Sequence, residues 1–168
     1  DWGETATNVN KGVARDGGRG ATVVWFGYDT PNYGTVGSMD QAVTGADSLT
    51  TFLRGLDHEA PQDAVTTVIG HSYGSTTAFL AVGSADDNLG VDNLIAVGSA
   101  GLADRALGDD PHARVDYSGT RIYASTSPED NWARKGRWAP DGINVTRWGT
   151  HAIDPGSIDN AVSFDSNG

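Results

Sequence analysis

Apolar residues recur along this chain with two alternating periods, one helical and one typical of β-strands. Trp2, Ala6 and Val9 follow one another at helical spacing, and Asp1 stands where an N-cap would accept the first backbone N–H groups. The next apolar stretch, 21–28, is continuous and rich in β-branched and aromatic side chains. Such a run predicts a short strand that is covered on both faces.

A second helix is predicted after a polar loop. Ser38 and Gln41 have the spacing of a capping box, and apolar residues continue the helical period through 39–56. The remaining predicted elements are strands over 64–69, 93–97 and 120–125, a less apolar strand candidate over 144–148, and helices over 75–82 and 157–164.

This order of elements predicts the fold class. Strands that alternate with helices form βαβ units, which assemble into parallel sheets. We therefore predict an α/β fold with a doubly wound, mostly parallel sheet of about five strands and flanking helices. The 168 residues fit one domain, 1–168, and the polar segment 103–119 is predicted to be a loop within it.

The charge and composition of the chain limit its partners. The sequence has 11 Lys and Arg against 22 Asp and Glu, a net charge of −11. Such a surface repels phosphate backbones and anionic lipids, so nucleic acid is not expected as a partner. The chain has no Cys, which excludes disulfides, thiol catalysis and Cys-ligated zinc. No apolar run approaches the ~20 residues of a transmembrane helix.

The beginning of the chain leaves its compartment open. No signal peptide is visible, so a cytoplasmic and a secreted location are both compatible with the sequence. The chain opens at Asp1 and its single methionine is Met39. We therefore expect the displayed residues to belong to a processed or longer chain.

The segment from Gly70 to Gly74 fits the pattern G-x-S-x-G. It stands between a predicted buried strand and a helix of small residues, which is where the nucleophile elbow of an α/β-hydrolase lies. Ser72 would then be a nucleophile in a strained backbone conformation, with Gly70 and Gly74 removing side chains that would collide. The following helix would aim backbone N–H groups, first that of Tyr73, at an oxyanion.

A serine nucleophile needs a base, for which His is the usual residue. His71 lies inside the elbow, where its side chain is expected to point away from the Ser72 hydroxyl. In the chain order Ser, acid, His, the base follows the last strand. His151 meets this condition, whereas His58 precedes the elbow and His112 lies in an acidic loop.

The acid that orients this base is expected after the strand predicted over 120–125. Asp130 is the first choice and Glu129 the near alternative. Asp104, after the strand over 93–97, is a second option. Asp154 is interpreted as a solvated turn residue.

No metal or cofactor is predicted. His112 lies near several aspartates, but the segment lacks helical His spacing and a calcium-loop pattern, so it is interpreted as a solvated acidic loop. The sequence also lacks a dinucleotide fingerprint and a phosphate-binding loop.

Four segments resemble, in this order, an α/β-hydrolase family of unknown function from actinobacteria: WFGYDTP, VIGHSYGSTTA, AVGSAGL and THAIDPGSIDNAV. The resemblance extends over about 12–162 of the sequence. It implies a serine hydrolase with Ser72 as nucleophile, Asp130 as acid and His151 as base. It also implies that the GYD segment and the GS-x-G segment are strand ends at one edge of the sheet.

The chain departs from this family at its N-terminal end. The family's preceding strand and glycine-containing loop have no counterpart, and that loop supplies the second oxyanion N–H beside that of Tyr73. The fold is therefore expected to be N-terminally incomplete, about the C-terminal two thirds of a full domain. The remaining N-terminal part of the same protein is a candidate partner.

The functional expectation is a serine esterase or related acyl hydrolase. Its substrate would be a small-molecule or lipid-like acyl ester, cleaved through an acyl-enzyme intermediate. The alternative is a catalytically weak or inactive hydrolase-like module that binds or supports a larger secreted protein. Acyl transfer to an alcohol or amine uses the same triad, and the sequence does not distinguish it from hydrolysis.

Overall fold

The computed structural model describes residues 1–29, 39–99, 101–102, 117–125 and 153–164. Within these ranges the chain forms one sheet with helices packed beside it. None of the helices in the described ranges is both long enough and apolar enough to cross a membrane.

Four strands of the part of the chain that the structure describes form the sheet, and they lie side by side in their order along the chain. All three pairings are parallel. This arrangement confirms the predicted fold class, an α/β structure with a parallel sheet. The strands are β1 (Thr67–His71), β2 (Asn93–Val97), β3 (Arg121–Ser125) and β4 (Val162–Phe164).

In the described ranges three α-helices accompany the sheet: α1 (Trp2–Arg15), α2 (Asp40–Glu59) and α3 (Tyr73–Gly83). The predicted cap of the first helix is confirmed, because the Asp1 carboxylate accepts the N–H groups of Gly3 and Glu4. No residue of α1 is buried.

Helix α3 lies at the centre of the core. Its residues from Ser75 to Val82 are all buried, and the helix contacts α2, β1 and β2. A helix that is covered on all sides needs small or apolar residues around its whole circumference, which explains the sequence STTAFLAV. Gly45 of α2 allows the close approach of α3, since a Cβ there would lie 2.9 Å from the Thr77 methyl carbon.

The segment 21–28 does not form the predicted strand. It has no strand pairing, and the side chains of Val23 and Phe26 are 61% and 70% exposed. A continuous apolar run indicates that its segment tends to be buried, but a strand also needs a neighbouring strand for its backbone hydrogen bonds. Strand β1 ends the sheet on that side, and no other described residues pair with it there.

The first strand after α2 also differs from its prediction. It begins at Thr67 instead of residue 64 and continues to His71, inside the G-x-S-x-G motif. It was predicted to be buried, yet Ile69 is 49% exposed. The same open edge explains the difference, because an edge strand has a neighbour on one side alone.

Two further predictions are wrong. The last helix, predicted over 157–164, is replaced by a short 3-10 helix, Pro155–Ser157, and by strand β4. The positive φ of 69° at Asn160 lies in the left-handed region and interrupts any helix there. The N-cap of α2 is Met39 and not Ser38, and it makes no side-chain capping bond. Ser38 and the candidate strand 144–148 lie outside the described residues.

The buried centre of the sheet supports a first prediction. Leu94 in β2 is fully buried, so Leu94→Ala should lower the free energy of unfolding by about 2–5 kcal/mol through lost apolar contact and a cavity. Val162→Ala in β4 is the matched control, since Val162 is 54% exposed and its truncation should cost well under half as much. Urea unfolding followed by circular dichroism measures both. Equal losses would contradict the placement of the core around β2.

Candidate active site

Ser72 occupies a sharp turn between β1 and α3. It is half-buried and has φ 52° and ψ −124°, a conformation that non-glycine residues rarely adopt. It follows the last residue of β1 directly and serves as the N-cap residue of α3. A strained serine between a strand and a helix is the geometry of a nucleophile elbow.

The two glycines of the motif have different surroundings. A Cβ at Gly70 would lie 2.5 Å from the Cα of Ser75 and 2.9 Å from the carbonyl oxygen of Gly74. The chain therefore turns back so tightly that it leaves no room for a side chain at position 70. At Gly74, in contrast, an added Cβ meets no described atom within 4 Å. The predicted collision is thus found at Gly70, and nothing in the described residues supports it at Gly74.

Tyr73, the residue after the candidate nucleophile, is anchored by its side chain. Its hydroxyl accepts the Ala42 backbone N–H at 3.1 Å, which caps the N-terminus of α2 in place of a local side chain. Its ring stacks on that of Tyr28 with centroids 6.5 Å apart. Burial raises the pKa of Tyr73 to about 12, and the hydrogen bond from Ala42 opposes that rise.

His71 lies beside the elbow, where its ring contacts the start of α1. The ring makes an edge-to-face contact with Trp2, with centroids 5.6 Å apart, and the residue is exposed. The contact places the N-terminal end of α1 next to the carboxyl end of β1.

The carboxyl ends of the first three strands meet at one edge of the sheet. His71 stands in register with Val97, and Val97 with Ser125. Backbone hydrogen bonds continue just beyond β1 and β2, from Ser72 N–H to the Val97 carbonyl at 3.0 Å and from Gly98 N–H to the Ser125 carbonyl at 2.9 Å. The GS-x-G segment after β2 therefore lies at this edge, as the sequence resemblance implies.

The loop after β2 is joined to the elbow by buried hydroxyl groups. Ser75 is fully buried, and its Oγ lies 2.6 Å from the Ser72 carbonyl oxygen and 2.7 Å from Ser99 Oγ. Ser99 Oγ also accepts the Gly101 N–H at 3.1 Å. The Thr76 hydroxyl donates to the Gly101 carbonyl at 2.6 Å.

The same loop holds the segment that follows His151. Leu102 and Ile153 form an isolated antiparallel bridge, with N–H to carbonyl distances of 2.8 Å and 3.2 Å. Asp154 is more than a solvated turn residue, because its carboxylate accepts the Gly156 N–H and caps the short 3-10 helix. A continuous set of hydrogen bonds thus runs from the elbow to Ile153, two residues after His151 in the sequence.

Four of the predicted site residues lie outside the described residues: Asp104, Glu129, Asp130 and His151. Their roles stay predictions. The structure does bring together Ser72, Tyr73 and the glycines of the elbow. It also places Ser125, the last residue of β3, in register with Val97 of β2, which is itself in register with His71 beside the elbow.

Sequence reasoning missed Ser75 and Ser99. Both are common residue types, and neither has a spacing that identifies a buried hydroxyl pair. The one available signal was their position, since Ser75 directly follows the elbow and Ser99 stands in the GS-x-G segment after the next strand. The carboxyl ends of neighbouring parallel strands lie close together, so the two serines could have been expected to approach each other.

A family model described as alpha/beta hydrolase matches residues 3–140. This chain belongs to the alpha/beta hydrolase family. The matched range includes the elbow and position 130, and it ends before position 151. No curated protein and no solved structure matches the chain.

A second prediction follows from the different amounts of space around Gly70 and Gly74 in this hydrolase. Gly70→Ala should destabilise the fold by roughly 1–3 kcal/mol, because the new Cβ would overlap backbone atoms that cannot move away cheaply. Gly74→Ala in the first turn of α3 should be neutral or slightly stabilising, because Ala is the better helix former. Thermal unfolding of the two variants measures the difference. A Gly74→Ala variant that is the less stable of the pair would contradict this account of the turn.

A third prediction concerns the pH dependence of stability. The pKa of Tyr73 is higher in the folded state than in the unfolded state. The contribution of this proton equilibrium to the free energy of unfolding is therefore fully present below about pH 10 and is lost as the pH rises through about 12. Tyr73→Phe should lower the free energy of unfolding at pH 7 by about 1 kcal/mol through loss of the α2 cap. It should also make the decline above pH 10 shallower.

Urea unfolding between pH 7 and 11 tests this prediction, with Tyr117→Phe as the comparison. Burial also raises the pKa of Tyr117, whose hydroxyl donates to the Phe79 carbonyl away from the elbow. Each substitution should remove part of the alkaline decline. An unchanged slope in Tyr73→Phe would show that its hydroxyl ionises equally in the folded and unfolded states.

Proposed function

We propose that this protein is a serine hydrolase that cleaves carboxylic ester or related acyl bonds through a Ser72–His151–Asp130 triad. The observation that carries the proposal is the strained Ser72 between β1 and α3, at the carboxyl edge of a parallel sheet. Backbone strain at a residue of this kind is retained where it serves a function. The family membership supports hydrolysis as the reaction class.

Ser72 would attack the acyl carbonyl while His151 takes its proton. Asp130 would hold the imidazole in the required tautomer and stabilise its cation. His151 would next donate the proton to the leaving alcohol, and a water activated by the same base would then release the acyl group. The atoms of the triad thus act twice, once for acylation and once for deacylation.

The placement of Ile153 supports His151 as the base. Ile153 is bound to Leu102, and the loop of Leu102 is hydrogen-bonded to the elbow through Ser99 and Ser75. Two residues span at most about 7 Å, so a base two residues before Ile153 in the sequence is compatible with a site beside this loop. Of the two histidines in the described ranges, neither has such a link: His58 lies in the last turn of α2 on the exposed surface, and His71 contacts Trp2.

The position of β3 supports an acid at 130 or 129. Strand β3 lies two places from β1, about 10 Å away, and its last residue is Ser125. Glu129 and Asp130 follow this strand after a short connection that begins at the same edge as the elbow. An acid on the loop after this strand can approach the far side of an imidazole that faces Ser72.

The oxyanion would be held first by the Tyr73 N–H. This group is the first backbone donor of α3, and its residue is fixed by the hydroxyl bond to Ala42. A second donor from residues N-terminal to α1 would fit the geometry, because the Trp2–His71 contact puts the beginning of α1 beside the elbow. Such an N-terminal segment is the partner that we propose for full activity, and the substrate would be a small-molecule or lipid-like ester.

A fluorophosphonate probe and a series of p-nitrophenyl esters test the proposal. The wild-type protein should be labelled and should turn over at least one ester, whereas Ser72→Ala should do neither. His151→Ala should lose nearly all labelling, and His112→Ala is its matched control with labelling retained. A folded wild-type sample that is neither labelled nor active would contradict the proposal and favour a binding or structural module.

Asp130→Asn and Glu129→Gln form a second matched pair that identifies the acid. The variant that removes the orienting carboxylate should lose roughly 10,000-fold in kcat, because the imidazole is then held in the wrong tautomer. The other variant should keep activity within a few-fold of wild type. Equal, small effects of both would exclude an acid at either position. Addition of an alcohol or amine nucleophile, with product analysis, separates acyl transfer from hydrolysis.

A further inference from the structure

Two buried serines and the backbone of a third, half-buried one form a hydrogen-bonded row at the carboxyl edge of the sheet. Ser75 and Ser99 are 0% and 2% exposed, and their hydroxyls approach to 2.7 Å. They come from different elements, since Ser75 lies in the first turn of α3 and Ser99 follows β2. The third member of the row is Ser72, which contributes its backbone carbonyl and not its side chain.

The chemistry of the acceptors fixes the direction of these hydrogen bonds. A carbonyl oxygen accepts and never donates, so the Ser75 hydroxyl donates its one hydrogen to the Ser72 carbonyl at 2.6 Å. Ser75 Oγ must then accept from the Ser99 hydroxyl. Ser99 Oγ in turn accepts the Gly101 N–H. The donors therefore point in one direction, from the loop after β2 to the peptide group of Ser72.

This row acts on the backbone where the chain is strained. The carbonyl of Ser72 belongs to the peptide that also carries the N–H of Tyr73, the proposed oxyanion donor. This carbonyl also accepts the Ser75 N–H at 3.1 Å, and the shorter bond from the Ser75 hydroxyl is a second restraint that opposes rotation of the peptide away from φ 52° and ψ −124°. Hydrogen bonds in a row polarise one another, so that a buried row holds its last acceptor more firmly than one isolated bond would.

We propose that Ser75 and Ser99 are positioning residues for the nucleophile, holding the Ser72 peptide so that both its hydroxyl and the Tyr73 N–H face the substrate. This inference rests on the proposed hydrolase function. Neither serine contacts the reacting atoms, because both are buried beneath the turn. Ser99 acts through Ser75, and Ser75 acts through the Ser72 carbonyl.

The experiment compares the second-order rate constant of fluorophosphonate labelling, and the kcat and KM of ester hydrolysis, in four proteins beside wild type. Ser75→Ala, Ser99→Ala and the double variant remove the row. Thr120→Val is the matched control, because the Thr120 hydroxyl also bonds a backbone carbonyl, that of Val91 at 2.8 Å, but just before the amino end of β3.

The Ser75→Ala variant should lose between about 10- and 100-fold in labelling rate and in kcat, as expected for a misplaced nucleophile, with KM little changed. Ser99→Ala should lose less. The double variant should be no slower than Ser75→Ala alone, because groups that act as one unit are not additive. The midpoint of the pH–rate profile should stay where it is in wild type, since the base is untouched. Thr120→Val should label at the wild-type rate.

Each outcome separates this inference from the proposed function. An unlabelled wild type overturns the hydrolase proposal itself. A labelled wild type together with wild-type rates in Ser75→Ala and Ser99→Ala overturns the positioning role alone, as does an equal loss in Thr120→Val. If circular dichroism shows that Ser75→Ala is unfolded, Ser99→Ala becomes the test, because it leaves the first turn of α3 intact. A lower kcat with KM little changed would then support the positioning role, and a wild-type kcat would overturn it.

Discussion

At the elbow the chain folds back tightly against itself, and this tight turn constrains the backbone and the packing around it. β1 runs directly into α3 with one residue between them, and the return is so tight that Gly70 touches the backbone of Ser75. The turn can be made only if the intervening residue takes a positive φ, so Ser72 is strained by the path of the chain. The burial of α3 against α2 and the sheet provides the stabilisation that keeps this strain in place.

Parallel pairing extends this local constraint to a site. In a parallel sheet every carboxyl end lies at the same edge, so the residues that follow β1, β2 and β3 are neighbours although they are far apart in sequence. The backbone bond from Gly98 to Ser125 and the bridge from Leu102 to Ile153 are direct consequences. The elbow, the GS-x-G loop and the segment after position 151 therefore form one hydrogen-bonded region although they are distant in sequence.

Prediction from the sequence succeeded where a pattern reports a local cause. Strand β2 was predicted with its observed bounds, 93–97, because its apolar run is short, continuous and bounded by polar residues. The strand-to-helix turn at Ser72 was predictable because its glycines, serine and flanking elements are all local. The strand predicted over 21–28 is absent because strand pairing depends on a neighbouring strand as well as on the residues of the segment itself. The helix predicted over 157–164 is wrong because part of that segment, β4, pairs with β3. The apolar period of a segment does not indicate its pairing with another strand.

The same distinction explains what the sequence could and could not say about the site. Ser72 is identified by its neighbours in the chain, whereas Tyr73 caps α2, 31 residues away, and Ser75 meets Ser99 across 24 residues. Contacts across such separations in sequence follow from the way in which helices and strands pack together, which no single segment encodes. A candidate nucleophile can therefore be predicted from a motif, whereas the groups that are hydrogen-bonded to its backbone become visible only when the neighbouring strand and its loop are seen beside it.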